Sequence, residues 1–249
     1  MAVWIWWLGL CALGIANCMF WYSRIWTPSR RDPSLFTGAV LSGIYSFGCA
    51  IRGFFPKADV ERLALFDTWF SSVFFGRTVA TVAELAFAAQ WSLLLRSLGY
   101  VRGAVALFAA LTAAECFSWY AVITTHFLGN VIEESLWTLS FAGVSIALWH
   151  SRRTLLAAAC SIYVGFMALV DVPMYLGRLG EQTTSGARLM GLWQGLVDLN
   201  SRRIVTWRFE EWAPEMPWMT LYFSLAVWMS FWLALRVRSP AIVKTTQNL

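Results

Sequence analysis

Apolar residues run along this chain in long blocks. They do not alternate with polar ones as they would along half-buried strands. Seven blocks stand out, at about 3–22, 34–55, 67–95, 103–126, 132–150, 154–176 and 217–236. An apolar helix of about 20 residues spans the hydrocarbon of a bilayer. Backbone groups there must pair within their own segment, so each block predicts a transmembrane helix. The expected fold is an all-α integral membrane protein, a seven-transmembrane-helix bundle forming a single polytopic membrane domain over residues 1–249. One long connection remains, the loop 177–216. Within it Leu189, Leu192, Trp193, Leu196 and Leu199 fall on one side, with Arg188, Gln194 and Asp198 on the other. That pattern predicts an amphipathic helix over 187–199, lying in the membrane interface before the last helix. Residues 56–64, PKADVERLA, read as a short surface helix. Gly129-Asn130 reads as the end of the fourth helix, and Asn130 with Glu133 fits a capping box opening the fifth. Pro173 predicts a kink in the sixth.

Composition agrees with the blocks. The chain is 59% hydrophobic and 13% charged, with a mean hydropathy of +0.59; a soluble domain carries about 25% charge. Lys57 and Lys244 are its lysines, and the other basic residues are Arg. Arg24/Arg30/Arg31, Arg96/Arg102, Arg152/Arg153 and Arg236/Arg238 follow helices one, three, five and seven. The positive-inside rule then places the N-terminus outside and the C-terminus inside. Arg52, Lys57 and Arg62 run against that assignment. The net charge of +5 is topology signal, not a nucleic-acid patch. No basic residue precedes block 3–22, so the pattern of a cleavable signal peptide is missing. Tryptophans near the block ends form an interfacial belt. An Arg- and Ala-rich composition suits a plasma membrane of bacterial inner-membrane type. The five cysteines lie in apolar runs without a CxxC and read as small core residues.

Candidate chemistry lies in the charges inside the blocks. Arg77 and Glu84 are seven residues apart, two turns, and share a helix face. Each charge at a helix centre costs roughly 2.5–3.5 kcal/mol, so both must be shielded, paired or used. At 1.5 Å per residue Asp171 lies roughly 9 Å in, Arg77 about 12 Å, Glu115 about 16 Å and Glu84 about 22 Å. His126 and Glu134 sit near the outer surface. Glu115 and His126 share a face with Thr112 and Trp119, and Asp171 and Tyr175 are spaced i,i+4. These positions outline a half-depth polar pocket open to the outer face. Glu84 or Glu115 is its general acid or base, and His126 with Glu134 a second proton-transfer pair. Arg77, Tyr175 and Trp119 meet the substrate, and Asp171 joins the catalytic set. Arg77 is expected to meet Glu115 or Asp171. Each position also has a structural alternative: ion pairs fixing helix register, a protonated carboxyl bonded across helices, or a cap at Glu133.

Missing motifs narrow the field. Two histidines exclude a three-His zinc site, and no HExxH, GxSxG, Walker loop or dinucleotide fingerprint is present. No lysine lies in a block, which excludes a retinal-type Schiff base. No cofactor is indicated. Beyond the lipid bilayer, the sequence points to a lipid or lipid-linked substrate and to no nucleic acid, and it names no protein partner. Three functions remain in order: an intramembrane enzyme modifying or hydrolysing that substrate, a structural or assembly subunit, and a proton-coupled transporter using the buried carboxylates. The transporter suffers from an inner half without an ionisable relay.

Overall fold

The computed structural model describes residues 2–237. Seven helices are long and apolar enough to cross a membrane: α1 Val3–Ser29, α2 Pro33–Phe54, α3 Val73–Ser97, α4 Val101–Thr124, α5 Phe127–His150, α6 Thr154–Ser185 and α8 Glu215–Arg236. The loop between α6 and α8 carries a further helix, α7, Leu192–Ser201. These lengths and compositions define an integral multi-pass membrane protein. Arg238, counted above among the topology signals, and Lys244 lie outside the described residues. The apolar surface agrees: Leu155, Ile162 and Leu169 of α6, spaced by seven, are 87%, 75% and 80% exposed. A stripe of that size facing water would be unfavourable, and hydrocarbon suits it.

Boundaries differ from expectation where local chemistry overrides hydropathy. The third helix begins at Val73, because residues 69–71 form a single tight turn after an extended Thr68. The surface helix expected over 56–64 is instead a hairpin of β1 Lys57–Ala58 and β2 Leu63–Ala64, antiparallel. Its turn holds Arg62 at φ 59°, and β2 pairs in parallel with β3, Ile204–Val205. The fourth helix ends at Thr124, with Thr125 in the left-handed conformation. The chain therefore turns at Thr125-His126, not at Gly129-Asn130, and Asn130 bonds Glu133 inside α5 at 3.4 Å instead of capping it. Pro173 is accommodated by a π turn, Met167–Asp171, so that α6 continues past it. A π turn widens the ring and relieves the ladder where proline supplies no N–H. Similar turns interrupt α1 at Tyr22–Trp26 and α8 at Tyr222–Ala226.

The chain forms two compact units, residues 2–97 with 201–237, and residues 98–200. In the first, α2 packs against α1, α3 and α8. Its buried face is built of small residues: Ala39, Ser42, Ser46, Gly48 and Ala50. Lipid offers no hydrophobic drive between helices, so close approach and interhelical hydrogen bonds hold them. A Cβ at Gly48 would stand 2.7 Å from the Ala83 Cβ of α3. Trp21 Nε1 donates to the Ala39 carbonyl at 2.9 Å. Asn17 Nδ2 donates to the Phe223 carbonyl at 3.1 Å. Gln90 and Ser230 tie α3 to α8, with Ser230 Oγ donating to Gln90 Oε1 at 2.6 Å. In the second unit α5 packs against α4 and α6. Gln182 of α6 closes the α4–α5 turn, accepting from the Phe127 N–H and donating to the Thr125 carbonyl at 2.6 Å.

Candidate functional site

The first unit brings two arginines and a carboxylate together inside its spans. Arg77 stands one turn into α3 and Glu84 two turns further. Their shared face lets them pair within the helix, with Arg77 Nη2 at 2.8 Å from Glu84 Oε2. The other carboxylate oxygen accepts from the Tyr222 hydroxyl at 3.0 Å and lies 3.5 Å from Arg52 Nη1. Tyr222 opens the π turn of α8, and Arg52 sits two residues before the end of α2. Aromatic faces complete the setting. The Arg52 guanidinium lies 5.9 Å from the Tyr222 ring centre and 5.7 Å from that of Phe223. Tyr45 of α2 stacks on Phe87 at 4.6 Å and meets Tyr222 edge-on at 6.1 Å. The Glu84 carboxylate is thus held by two guanidinium groups and a phenol where water is scarce. Such contacts gain from the low dielectric.

The shared face of Arg77 and Glu84 was legible, but the partner expected for Arg77 was Glu115 or Asp171, and the ion pair with Glu84 was not foreseen. Arg52 and Tyr222 were not picked out. An arginine near the end of an apolar block reads as a surface anchor, and a tyrosine in a membrane segment reads as belt. No sequence signal separates Tyr222 from the neighbouring aromatics.

The hairpin adds charge beside this cluster. Lys57 is buried, and its ammonium donates to the carbonyls of Phe70 at 2.9 Å and Ser72 at 3.0 Å. Burial pushes it down to about 8, with Asp59 opposing the shift and the nearby Arg52 adding to it. Arg62, also buried, donates through Nη1 to the Asp59 carbonyl. Between pH 8 and 10.5 the unfolded chain holds a proton that the folded chain has released. Stability therefore rises with pH across that window, and below pH 8 the penalty of burying the charge is fully present. At about 1.4 kcal/mol per pH unit, the gain over the window is about 3 kcal/mol. The apparent Tm of the wild type in detergent is expected to rise from about pH 7.5 to 9.5 relative to Lys57→Met. A difference between the two that stays flat with pH contradicts the lowered value.

The remaining candidates lie in the second unit. Glu115 is buried and Trp119 half-buried on α4. His126 and Glu134 do not form the expected pair. His126 Nδ1 is 3.0 Å from the Tyr120 hydroxyl across the α4–α5 turn, because that turn falls four residues earlier than the sequence suggested. Glu134 of α5 instead bonds Asp171 of α6, with Arg178 in electrostatic range. Two carboxyl groups can hydrogen-bond only when one carries a proton. Asp171 is held in its π turn. Tyr175 packs against Phe127 at 6.4 Å and beneath the Arg178 guanidinium at 5.7 Å.

No family model matches the chain, and neither a curated protein nor a solved structure shows significant similarity to it.

Proposed function

We propose that this multi-pass membrane protein is an intramembrane enzyme that modifies or hydrolyses a lipid or lipid-linked substrate at the Arg77–Glu84–Tyr222 cluster. The observation that carries the proposal is a glutamate inside a span gripped by Arg77, Tyr222 and Arg52. Charges at that depth are costly and mark function by default. Glu84 takes the proton of an attacking hydroxyl or water and returns it to the leaving group. Tyr222, hydrogen-bonded to Glu84, relays that proton, and Arg77 holds the carboxylate in place. The topology with the N-terminus outside would open the cluster to the outer face, the side where Arg52 and the hairpin lie. Helix α7, with Leu192 and Trp193 exposed, would rest in the membrane interface.

One observation favours a second reading. Both Glu84 oxygens are satisfied, as they would be in an ion pair whose task is to fix helix register in a structural or assembly subunit. Two experiments separate the readings. Lipid profiles by mass spectrometry compare cells carrying wild type and Glu84→Gln at matched protein level. A lipid class that changes with wild type and reverts with Glu84→Gln is expected. The charge-reversed chain, Arg77→Glu with Glu84→Arg, is expected to fold yet leave the profile as in cells without the protein. Identical profiles for wild type and Glu84→Gln, or full recovery in the charge-reversed chain, favour the structural role.

A further inference from the structure

We infer that Asn17 is a positioning residue for the Glu84 site: it holds the π turn of α8 that directs the Tyr222 hydroxyl onto the Glu84 carboxylate. The inference rests on the reading of that cluster as a site of lipid chemistry. Asn17 is buried on the inner face of α1, an amide among Leu10, Gly14 and Trp21. Its Nδ2 donates to the Phe223 carbonyl at 3.1 Å. A polar side chain inside a bundle is costly unless bonded. The partner here is main chain, and it lies within the π turn Tyr222–Ala226. The Val227 N–H that follows this turn bonds the Ser224 carbonyl. An unbroken α-helix would have directed it to Phe223, four residues back. Asn17 supplies a donor to the carbonyl that the turn displaces from the ladder. Such turns have poorer hydrogen-bond geometry, occur as single insertions and recur at functional sites.

The π turn also sets which side chains of α8 face α3. Ser230 follows Tyr222 by two turns and part of a third. Round an unbroken α-helix the two would stand about 80° apart, and the extra residue of a π turn between them reduces this to about 20°. Both bond α3: the Tyr222 hydroxyl donates to Glu84 at 3.0 Å, and Ser230 Oγ to Gln90 at 2.6 Å. With the Ser230–Gln90 bond held, closing the π turn into an α turn would swing Tyr222 by about 100°, away from the carboxylate. Asn17 thus acts through the backbone of α8. Its bond to Phe223 favours the register in which Tyr222 can exchange a proton with Glu84.

The test uses the full chain, with fluorotyrosine in place of Tyr222 as a fluorine NMR probe in detergent, and the lipid profile of cells at matched protein level. Asn17→Leu keeps the volume and removes the donor. Its fluorine signal is expected to move more than half of the way from wild type to Glu84→Gln. Its lipid change is expected to fall at least about tenfold, as in Tyr222→Phe. Asn17→Leu combined with Tyr222→Phe is expected to be no worse than Tyr222→Phe alone, because two changes that act through one group do not add. Asn17→Gln restores an amide and is expected to recover part of both readouts. Trp21→Phe removes another hydrogen bond of α1, to the Ala39 carbonyl, and is expected to lower the apparent Tm without moving the fluorine signal. Asn17→Ala carries the test if Asn17→Leu does not fold. A fluorine signal unchanged without the Asn17 amide, or losses that add in the double variant, overturns the positioning role and leaves the lipid reading standing. A wild type that changes no lipid overturns that reading, and with it the reaction that Asn17 would serve.

Discussion

Glu84→Leu is expected to destabilise the protein by about 3–5 kcal/mol, the cost of removing one partner from a buried charge pair. The carboxylate answers Arg77 at 2.8 Å, the Tyr222 hydroxyl at 3.0 Å and Arg52 at 3.5 Å. Leucine restores apolar volume but removes the carboxylate that both guanidinium groups share. Arg77→Leu in the same chain is expected to recover more than half of the loss, because replacing both partners with apolar groups removes the desolvation cost as well as the attraction. Arg52 stays behind, held by its two rings and near enough to the end of α2 to reach the headgroups. Glu84→Gln keeps an acceptor for Tyr222 and falls between wild type and Glu84→Leu. Apparent Tm in detergent and yield in the membrane fraction give the ranking. A Glu84→Leu protein as stable as wild type would mean that the carboxylate is not the counter-charge that holds these arginines. The double variant also has a functional use: a folded bundle without Glu84 that leaves the lipid profile unchanged separates catalysis from folding.

The spans were legible because their cause is local. Twenty apolar residues in a row meet the bilayer condition by themselves, and the seven predicted blocks correspond to the seven long helices. The shared face of Arg77 and Glu84 was legible for the same reason, since two turns of one helix return to one face, although Glu115 or Asp171 was expected as the partner of Arg77. What failed depended on distant partners. PKADVERLA has the composition of a helix, yet Leu63 and Ala64 take their register from Ile204 and Val205, which no local pattern announces. The sequence suggests His126 and Glu134 as a proton-transfer pair because both fall near the outer surface. The turn at Thr125 gives His126 to Tyr120 and leaves Glu134 to Asp171. Arg52 and Tyr222 come from helices far apart in sequence, and their part in the cluster follows from how α2 and α8 pack, not from either segment's own residues.

Gly129→Leu should affect the second unit about as strongly as Glu84→Leu affects the first. Gly129 lies in the first turn of α5 and faces α4. A Cβ there would stand 2.5 Å from the Phe117 carbonyl oxygen and 2.8 Å from both the amide nitrogen and the Cβ of Ala121. Backbone atoms of a packed helix cannot swing aside as a long side chain can, so any larger residue must spread α4 from α5. Overpacking costs about 1–3 kcal/mol and occasionally more, and leucine against backbone belongs at the upper end. The same turn carries the contact between His126 and Tyr120 and the Gln182 bridge to Thr125 and Phe127. All three should loosen, visible as faster amide exchange over residues 120–135. The contacts of Glu84 with Arg77, Tyr222 and Arg52 are made within the first unit. If the chemistry belongs to those residues, the lipid change produced by wild type should survive in the folded fraction of Gly129→Leu. A loss as complete as in Glu84→Gln would place His126, Glu134 or Asp171 in the reaction.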